Sequence, residues 1–301
     1  MKNLSFILIL LVLAACNGGG KKGDAPVETR TSGTVKILVD ESFSAIIDDQ
    51  IEVFKSDYKD AGFTVTYGNE NKIMPTFLND SIRVIILSRM LTADEDTIYR
   101  KRSIVPKTSR FAIDGIALIT GKNNPDSVIT AQEIFDILKG ESTSRSLVFD
   151  NAYSSTVRYF KDSAGVKDFP KQGVYSMKDN NEVIKYVSEN ENSIGIVGVN
   201  WLLQNNKSGL ESLSKVKMMG VKNLKGKKGD DAFYKPDQTN LISGIYPFLR
   251  NVYIINCEGR DGLGTGFANW LMSPRGQLIV LRSGLGPHQI APREFNIKKP
   301  N

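Results

Sequence analysis

Cysteine and histidine are nearly missing from this chain, with two cysteines and one histidine among 301 residues. Cys16 and Cys257 show no metal-ligand spacing, so neither a zinc site nor any other metal site is expected. The lone His288 sits in Gly286-Pro287-His288, near the C-terminus, with no nucleophile motif beside it. Carboxylates are plentiful but form no recognisable pair. An enzyme is therefore not expected, and no cofactor is implied. Long apolar runs are scarce too, and after the first few residues none is long enough to span a membrane. There is no internal repeat. There is no zinc-knuckle, RNA-binding or basic-helix pattern, so the formal charge of +6 does not point to nucleic acid. Basic and acidic residues are interspersed, and Lys222 to Lys228 reads as a solvated loop before it reads as a partner surface.

What is present begins with a processing signal. Met1-Lys2-Asn3 is a short positive start, and Leu4 to Ala15 is a short apolar run ending in small residues, as in a secretory signal peptide. Its end, Leu13-Ala14-Ala15-Cys16, resembles the bacterial lipobox. That likeness implies cleavage before Cys16 and a diacylglyceryl group on its thiol. Residues 1–15 are then signal peptide, and 16–32, bearing Gly, Lys and Pro without apolar period, form a tether between lipid and domain. Cys257 is left without a disulfide partner and, lying in the apolar run Asn251 to Cys257, reads as a small buried core residue.

The remaining composition, 41% hydrophobic and 24% charged, is globular, and the length allows one large or two medium domains. Val35, Ile37 and Val39 alternate with polar neighbours, as in a strand. A helix follows with Ile46, Ile47, Ile51, Val53 and Phe54, then a strand at Phe63 to Tyr67, a helix at Asn71 to Leu78 and an apolar strand at Val84 to Leu87. Strand, helix, strand, helix, strand with helix-length crossovers implies a parallel sheet covered on both faces. Ligands in such sheets bind beyond the carboxyl ends of strands, here at Glu41-Ser42-Phe43 and Ser88-Arg89. Phe111 to Thr120 and Tyr246 to Ile255 read as two long strands. Thr130-Ala131-Gln132-Glu133 is a capping box for a helix from Ala131 to Lys139, with Gly140 closing it. Asn180 to Glu189 and Ser193 to Gly198 add a helix and a strand to a second α/β unit. Gly266 to Met272 and the stretch opened by Ser273-Pro274 read as two further helices.

The most informative stretch is Asp150 to Phe160. A short strand, Ser146 to Phe149, is followed by Ser154-Ser155-Thr156 and then by the first turns of a helix. Three hydroxyls and unpaired backbone N–H groups at a helix N-terminus suit an anion. Simple capping accounts for the same residues, and the stretch alone leaves both readings open.

Several of these stretches together resemble one family, the substrate-binding lipoproteins of phosphate ABC transporters, over roughly Gly33 to Pro287. Phe111 to Pro125 looks like that family's strand crossing from first lobe to second, and Tyr246-Pro247-Phe248-Leu249-Arg250 like the returning strand. Ile129 to Gly140 is similar to its next helix, and Phe267 to Gln277 to its C-terminal helix pair. The resemblance implies an α/β, two-lobed periplasmic-binding-protein type II fold, each lobe a sheet flanked by helices, joined by two crossing strands. Lobe 1 would comprise 33–112 plus 247–301, and lobe 2 would be 113–246. It implies a monomer in the bacterial cell envelope, lipid-anchored to the membrane on the periplasmic side, that captures inorganic phosphate or a similar oxyanion and hands it to ABC permease subunits. A binding or sensory lipoprotein of the same fold, recognising another oxyanion or a protein partner, is the alternative.

The family's ligand patches carry over to Ser42 and Phe43, to Ser88 and Arg89, and to Ser154, Ser155 and Thr156, with Ser155 standing where a glycine is usual. Hydroxyls and amides supply donors to a desolvated anion without a large local charge, and an arginine adds charge-assisted bonds. Two departures stand out. Arg83 occupies the place of the family's early aspartate, and Asp150 that of its arginine. Either acid and base have exchanged places across the cleft, or both face away. Asp150 is the candidate for the single acceptor that would tell protonated phosphate from sulfate, since an unpaired buried acceptor costs about 1–3 kcal/mol.

Overall fold

The computed structural model describes residues 28–142, 144–205 and 211–289, so Cys16, the signal peptide and most of the tether lie outside the described residues. Strand β1 (Gly33–Asp40) pairs in parallel with β2 (Ala61–Gly68) and β3 (Val84–Leu87). The crossovers are helix α1 (Ser44–Asp57) and helix α2 (Glu70–Leu78). All four residues of β3 are buried, as the uninterrupted apolar run predicts. Helix α3 (Ala93–Lys101) follows, closed at its start by a capping box of Thr92 and Glu95.

The strand β4 (Lys107–Gly121) organises the molecule. Its first half runs antiparallel to β11 (Leu249–Asn256), and its second half runs antiparallel to β8 (Ser193–Gly198). One sheet therefore passes through both halves of the protein, in the order β2-β1-β3-β11-β4-β8 and on to β6 (Ser146–Phe149) and β7 (Val174–Ser176), which are parallel to each other. The returning chain is fastened to β4 where it crosses: Ile116 N donates to Phe248 O at 2.9 Å, and Tyr246 Oη donates to Ile116 O at 2.7 Å. A separate two-stranded sheet pairs β5 (Val128–Thr130) with β10 (Gly220–Lys222), while β9 (Val216–Met218) and β12 (Gly286–Pro287) add to β4.

Each half has apolar packing on both sheet faces. In the first half, Val35, Ile37 and Val39 meet Phe54, Phe267 and Trp270, with Leu38, Ile85 and Phe77 on the opposite face. In the second half, Ile116, Leu118, Phe149 and Phe160 pack with Phe248, with Ala117, Val148 and Val187 behind. Each buried Val, Leu, Ile or Phe side chain among them contributes about 1.5–3 kcal/mol by leaving water. Helix α4 (Ala131–Lys139) has the expected capping box, Glu133 N donating to Thr130 Oγ1 at 3.1 Å, and ends on Gly140 at φ 79°. Helix α5 (Ser155–Ala164) follows β6, and α6 (Asn180–Glu189) precedes β8. A short α7 (Val199–Asn205) leaves β8 and packs against the Glu41–Phe43 turn. Helix α8 (Gln238–Ser243) precedes the return, and α9 (Leu263–Met272) and α10 (Pro274–Arg282) close the chain against the first half. Cys257 is buried, and burial pushes its thiol up to about 12, which suits an inert core residue.

Candidate functional site

The ends of β1, β6 and the two crossing strands converge on one buried polar cluster. On the second-half side stands the N-terminus of α5. Ser154 caps it, accepting from Val157 N at 3.2 Å, and donates its hydroxyl to Asp150 at 2.6 Å. Both of the readings the sequence left open are thus compatible with the geometry, because the capping residue and its neighbours Ser155 and Thr156 are all buried at one helix end. On the first-half side, Asp40 ends β1 and accepts from Ser42 N at 3.0 Å. Ser42 Oγ lies 3.4 Å from Ser155 Oγ, so hydroxyls from the two halves meet directly.

Between them lies Arg250, whose side chain is 1% exposed. Its Nη1 donates to Ser155 Oγ at 3.2 Å and Thr156 Oγ1 at 3.0 Å. Its Nε and Nη2 donate to Asp114 Oδ2 at 3.2 and 2.6 Å, and its guanidinium lies 5.2 Å from the Phe43 ring centroid. Arg250 and Asp114 are register partners on β11 and β4. Gly198 makes room for the guanidinium, since a Cβ there would stand 3.2 Å from Nη2. Burial raises Asp40 above the usual carboxylate range and pushes Asp150 up to about 7; donation from Ser154 and the charge of Arg250 oppose it. Asp40 Oδ2, Asp114 Oδ1 and both amide atoms of Asn200 are buried without a hydrogen-bond partner among the described residues.

Ser88 and Arg89 stand at the rim. Ser88 Oγ accepts from Arg158 Nη2 at 2.9 Å, and Arg158 Nε donates to Glu70 Oε2 at 3.0 Å. Arg158 belongs to α5 and Glu70 to α2, so this contact joins the two halves. Arg89 is held by Glu70 and by both oxygens of Glu95, at 2.6 and 2.9 Å. Its donors are thereby committed to carboxylates of its own half.

Arg83 is elsewhere. It pairs with Asp80 at 2.8 and 3.0 Å, and its side chain is 46% exposed. The reason is strand direction: Arg83 precedes β3 and Ser88 follows it, so about 3.3 Å per residue separates them by roughly 16 Å along the strand. The exchange of acid and base inferred from Arg83 and Asp150 is therefore not the arrangement found. Asp150 does reach the cluster, but its cationic counterpart is Arg250 from the returning strand. Sequence reasoning passed over Arg250, Asp114, Asp40, Glu70, Arg158 and Asn200. The available signal was a charged residue inside each of two otherwise apolar strand runs. His288 accepts from Arg110 at 3.2 Å, on the part of β4 before the crossing.

Comparison with known proteins agrees with this architecture. A model of the PBP superfamily domain matches residues 24–275. The phosphate-binding protein PstS of Pseudomonas aeruginosa is 22% identical over 295 residues, covering 89% of this chain and 87% of its own length. PstS of Staphylococcus saprophyticus is 26% identical, covering 87% of this chain and 80% of its own. Among solved structures, a substrate-binding protein from Clostridium perfringens with bound phosphate superposes with a TM-score of 0.67 at 21% identity, covering 85% of this chain and all of that one. An ABC-type phosphate transport receptor from Vibrio cholerae gives 0.64 at 20% identity over 86% of this chain and all of that one. The fold is that of the type II periplasmic binding proteins, and the chain belongs to the PBP superfamily.

Proposed function

We propose that this protein is a membrane-anchored solute-binding protein that captures phosphate between its two halves and delivers it to an ABC permease. It acts as a binder, not a catalyst. The observation that carries the reading is the convergence of Ser42, Ser155, Thr156 and Arg250 on the buried N-terminus of α5. Hydroxyls from both halves, a guanidinium and the positive end of a helix are the donor set a desolvated oxyanion requires. The relatives named for phosphate binding span most of this chain, which supports the same ligand here. Two lobes, 33–112 plus 247–301 and 113–246, would move about the crossings near Asp114-Gly115 and Pro247. The lipobox-like Cys16 supports a lipid anchor facing the periplasm, with the domain acting as a monomer.

Ser154 and Thr156 test this directly. Replacing both with alanine removes two buried hydroxyls from the cluster, at about 1.5–3 kcal/mol for each bond to a charged partner. Phosphate affinity should fall at least a hundredfold by titration calorimetry. Unchanged tight binding by the double variant would sink the proposed site. A folded protein that binds no phosphate would favour a sensor of another oxyanion or of a protein partner.

A further inference from the structure

The rim contact between the halves is assembled on one half before it reaches the other. Glu95, fixed by the capping box it forms with Thr92 at the start of α3, holds Arg89 through Nη1 and Nη2 at 2.6 and 2.9 Å. Arg89 in turn donates through Nε to Oε1 of Glu70. Glu70 opens α2, and its side chain is only 7% exposed. Its second oxygen, Oε2, accepts from Arg158 Nε on α5 of the opposite half, at 3.0 Å. Arg158 completes the crossing with Nη2, which donates to Ser88 Oγ at 2.9 Å, and its Nη1 is steadied on its own helix by Asp162 at 3.1 Å. All three nitrogens of that guanidinium are engaged, two of them across the gap between the halves.

We propose that Glu70, Arg158 and Ser88 form a latch that keeps the two halves closed on each other when no ligand is bound, and that Ser88 and Arg89 act on ligand affinity through this latch and not by touching the anion. The role given to Ser88 and Arg89 rests on the phosphate reading above; the latch itself does not. A latch must form readily and release readily. This one forms readily because Arg89 and Glu95 hold the Glu70 carboxylate in place beforehand, so closure has little left to immobilise beyond Arg158. It releases readily because parting the halves takes Arg158 from Glu70 but leaves Arg89 on it. No buried carboxylate is stranded, which is the loss that makes a broken buried pair severe. Arg158 itself is 30% exposed, so its guanidinium regains water on opening. The same closure brings the Ser42 and Ser155 hydroxyls to 3.4 Å. Where only the closed arrangement presents the full donor set, the apparent affinity is the intrinsic one multiplied by the fraction closed.

Small-angle X-ray scattering of the full chain, with and without saturating inorganic phosphate, reads closure directly. The wild-type radius of gyration should be the same in both conditions. Arg158→Gln leaves Glu70 paired with Arg89. Without phosphate this variant should be larger than wild type, and it should contract to the wild-type value when phosphate is added. Its phosphate Kd by titration calorimetry should be about tenfold higher, the effect of a closed fraction cut to about a tenth. Asp162→Asn, which removes only the contact within α5, should match wild type in both measurements. Adding Ser88→Ala to Arg158→Gln should raise the Kd no further, since the two act as one unit. A wild-type chain that contracts on phosphate, or an Arg158→Gln chain as compact as wild type without it, overturns the latch and leaves the phosphate reading standing. A further loss from Ser88→Ala puts Ser88 on the anion and overturns the role given to it here. Should Arg158→Gln not fold, Glu70→Gln, which keeps the shape and removes the charge, takes its place with the same expectations. If no phosphate binds at all, the phosphate reading falls, and scattering of wild type against variant without ligand still decides the latch.

Discussion

Arg250 does two jobs with one guanidinium. Its Nε and Nη2 hold Asp114 across the β4–β11 pairing, and its Nη1 reaches the hydroxyls of Ser155 and Thr156 on the other side of the cluster. A lysine could not do both, because a point charge lacks the planar fork. Burying such a pair is costly, so its presence is better explained by what it positions than by stability. Arg250→Ala leaves Asp114 charged and alone in the interior, and should lower unfolding free energy by about 3–5 kcal/mol in urea titration. Replacing both partners with leucine should recover much of that stability and none of the phosphate binding. A double variant that still binds phosphate as wild type does would show that Arg250 is structural only.

At the scale of the element, two helices begin with the same chemistry and serve different ends. Helix α4 is capped by Thr130, half-buried and tied to Glu133 of its own helix; α5 is capped by Ser154, which is buried and tied to Asp150. Either cap replaced by alanine should cost about 1 kcal/mol of stability. Only Ser154→Ala also removes the donor that Asp150 accepts, so it alone should weaken phosphate binding, by about tenfold for each 1.4 kcal/mol lost. Urea unfolding and phosphate titration of both single variants check this, and equal binding by the two would contradict it. The Thr130 capping box was legible in the sequence because its four residues are contiguous. The short helices α3, α7 and α8 were not. In α3 only Tyr99 is buried, so no apolar period announces the helix, although its Thr92-x-x-Glu95 box was there to be read.

At the scale of the whole molecule, one sheet threads both halves through β4, and Arg158 to Glu70 and Ser88 joins their rims. The order of parallel strands and crossover helices in the first half was legible, because hydrophobic runs of distinct length and period alternate there. The hydroxyls at Ser42 and at Ser154 to Thr156 were legible too, since position after a strand and before a helix is a local property. The cation was not. Arg250 faces Asp114 only because residues 136 positions apart are paired in register, and that pairing is a non-local fact. The same reasoning explains Arg83: its distance from the cleft follows from strand direction, which composition at a single position does not reveal. Glu70 and Arg158 were hidden for the same cause, as an ion pair between two helices of different halves.

Titration calorimetry of the purified protein with phosphate, arsenate, sulfate and molybdate tests most directly whether this cluster binds phosphate. One site of micromolar affinity or tighter is expected for phosphate and arsenate near neutral pH, with sulfate and molybdate silent, since neither brings a proton to the buried Asp150. Equal binding of sulfate, or no heat with any of the four from a folded sample, would contradict it.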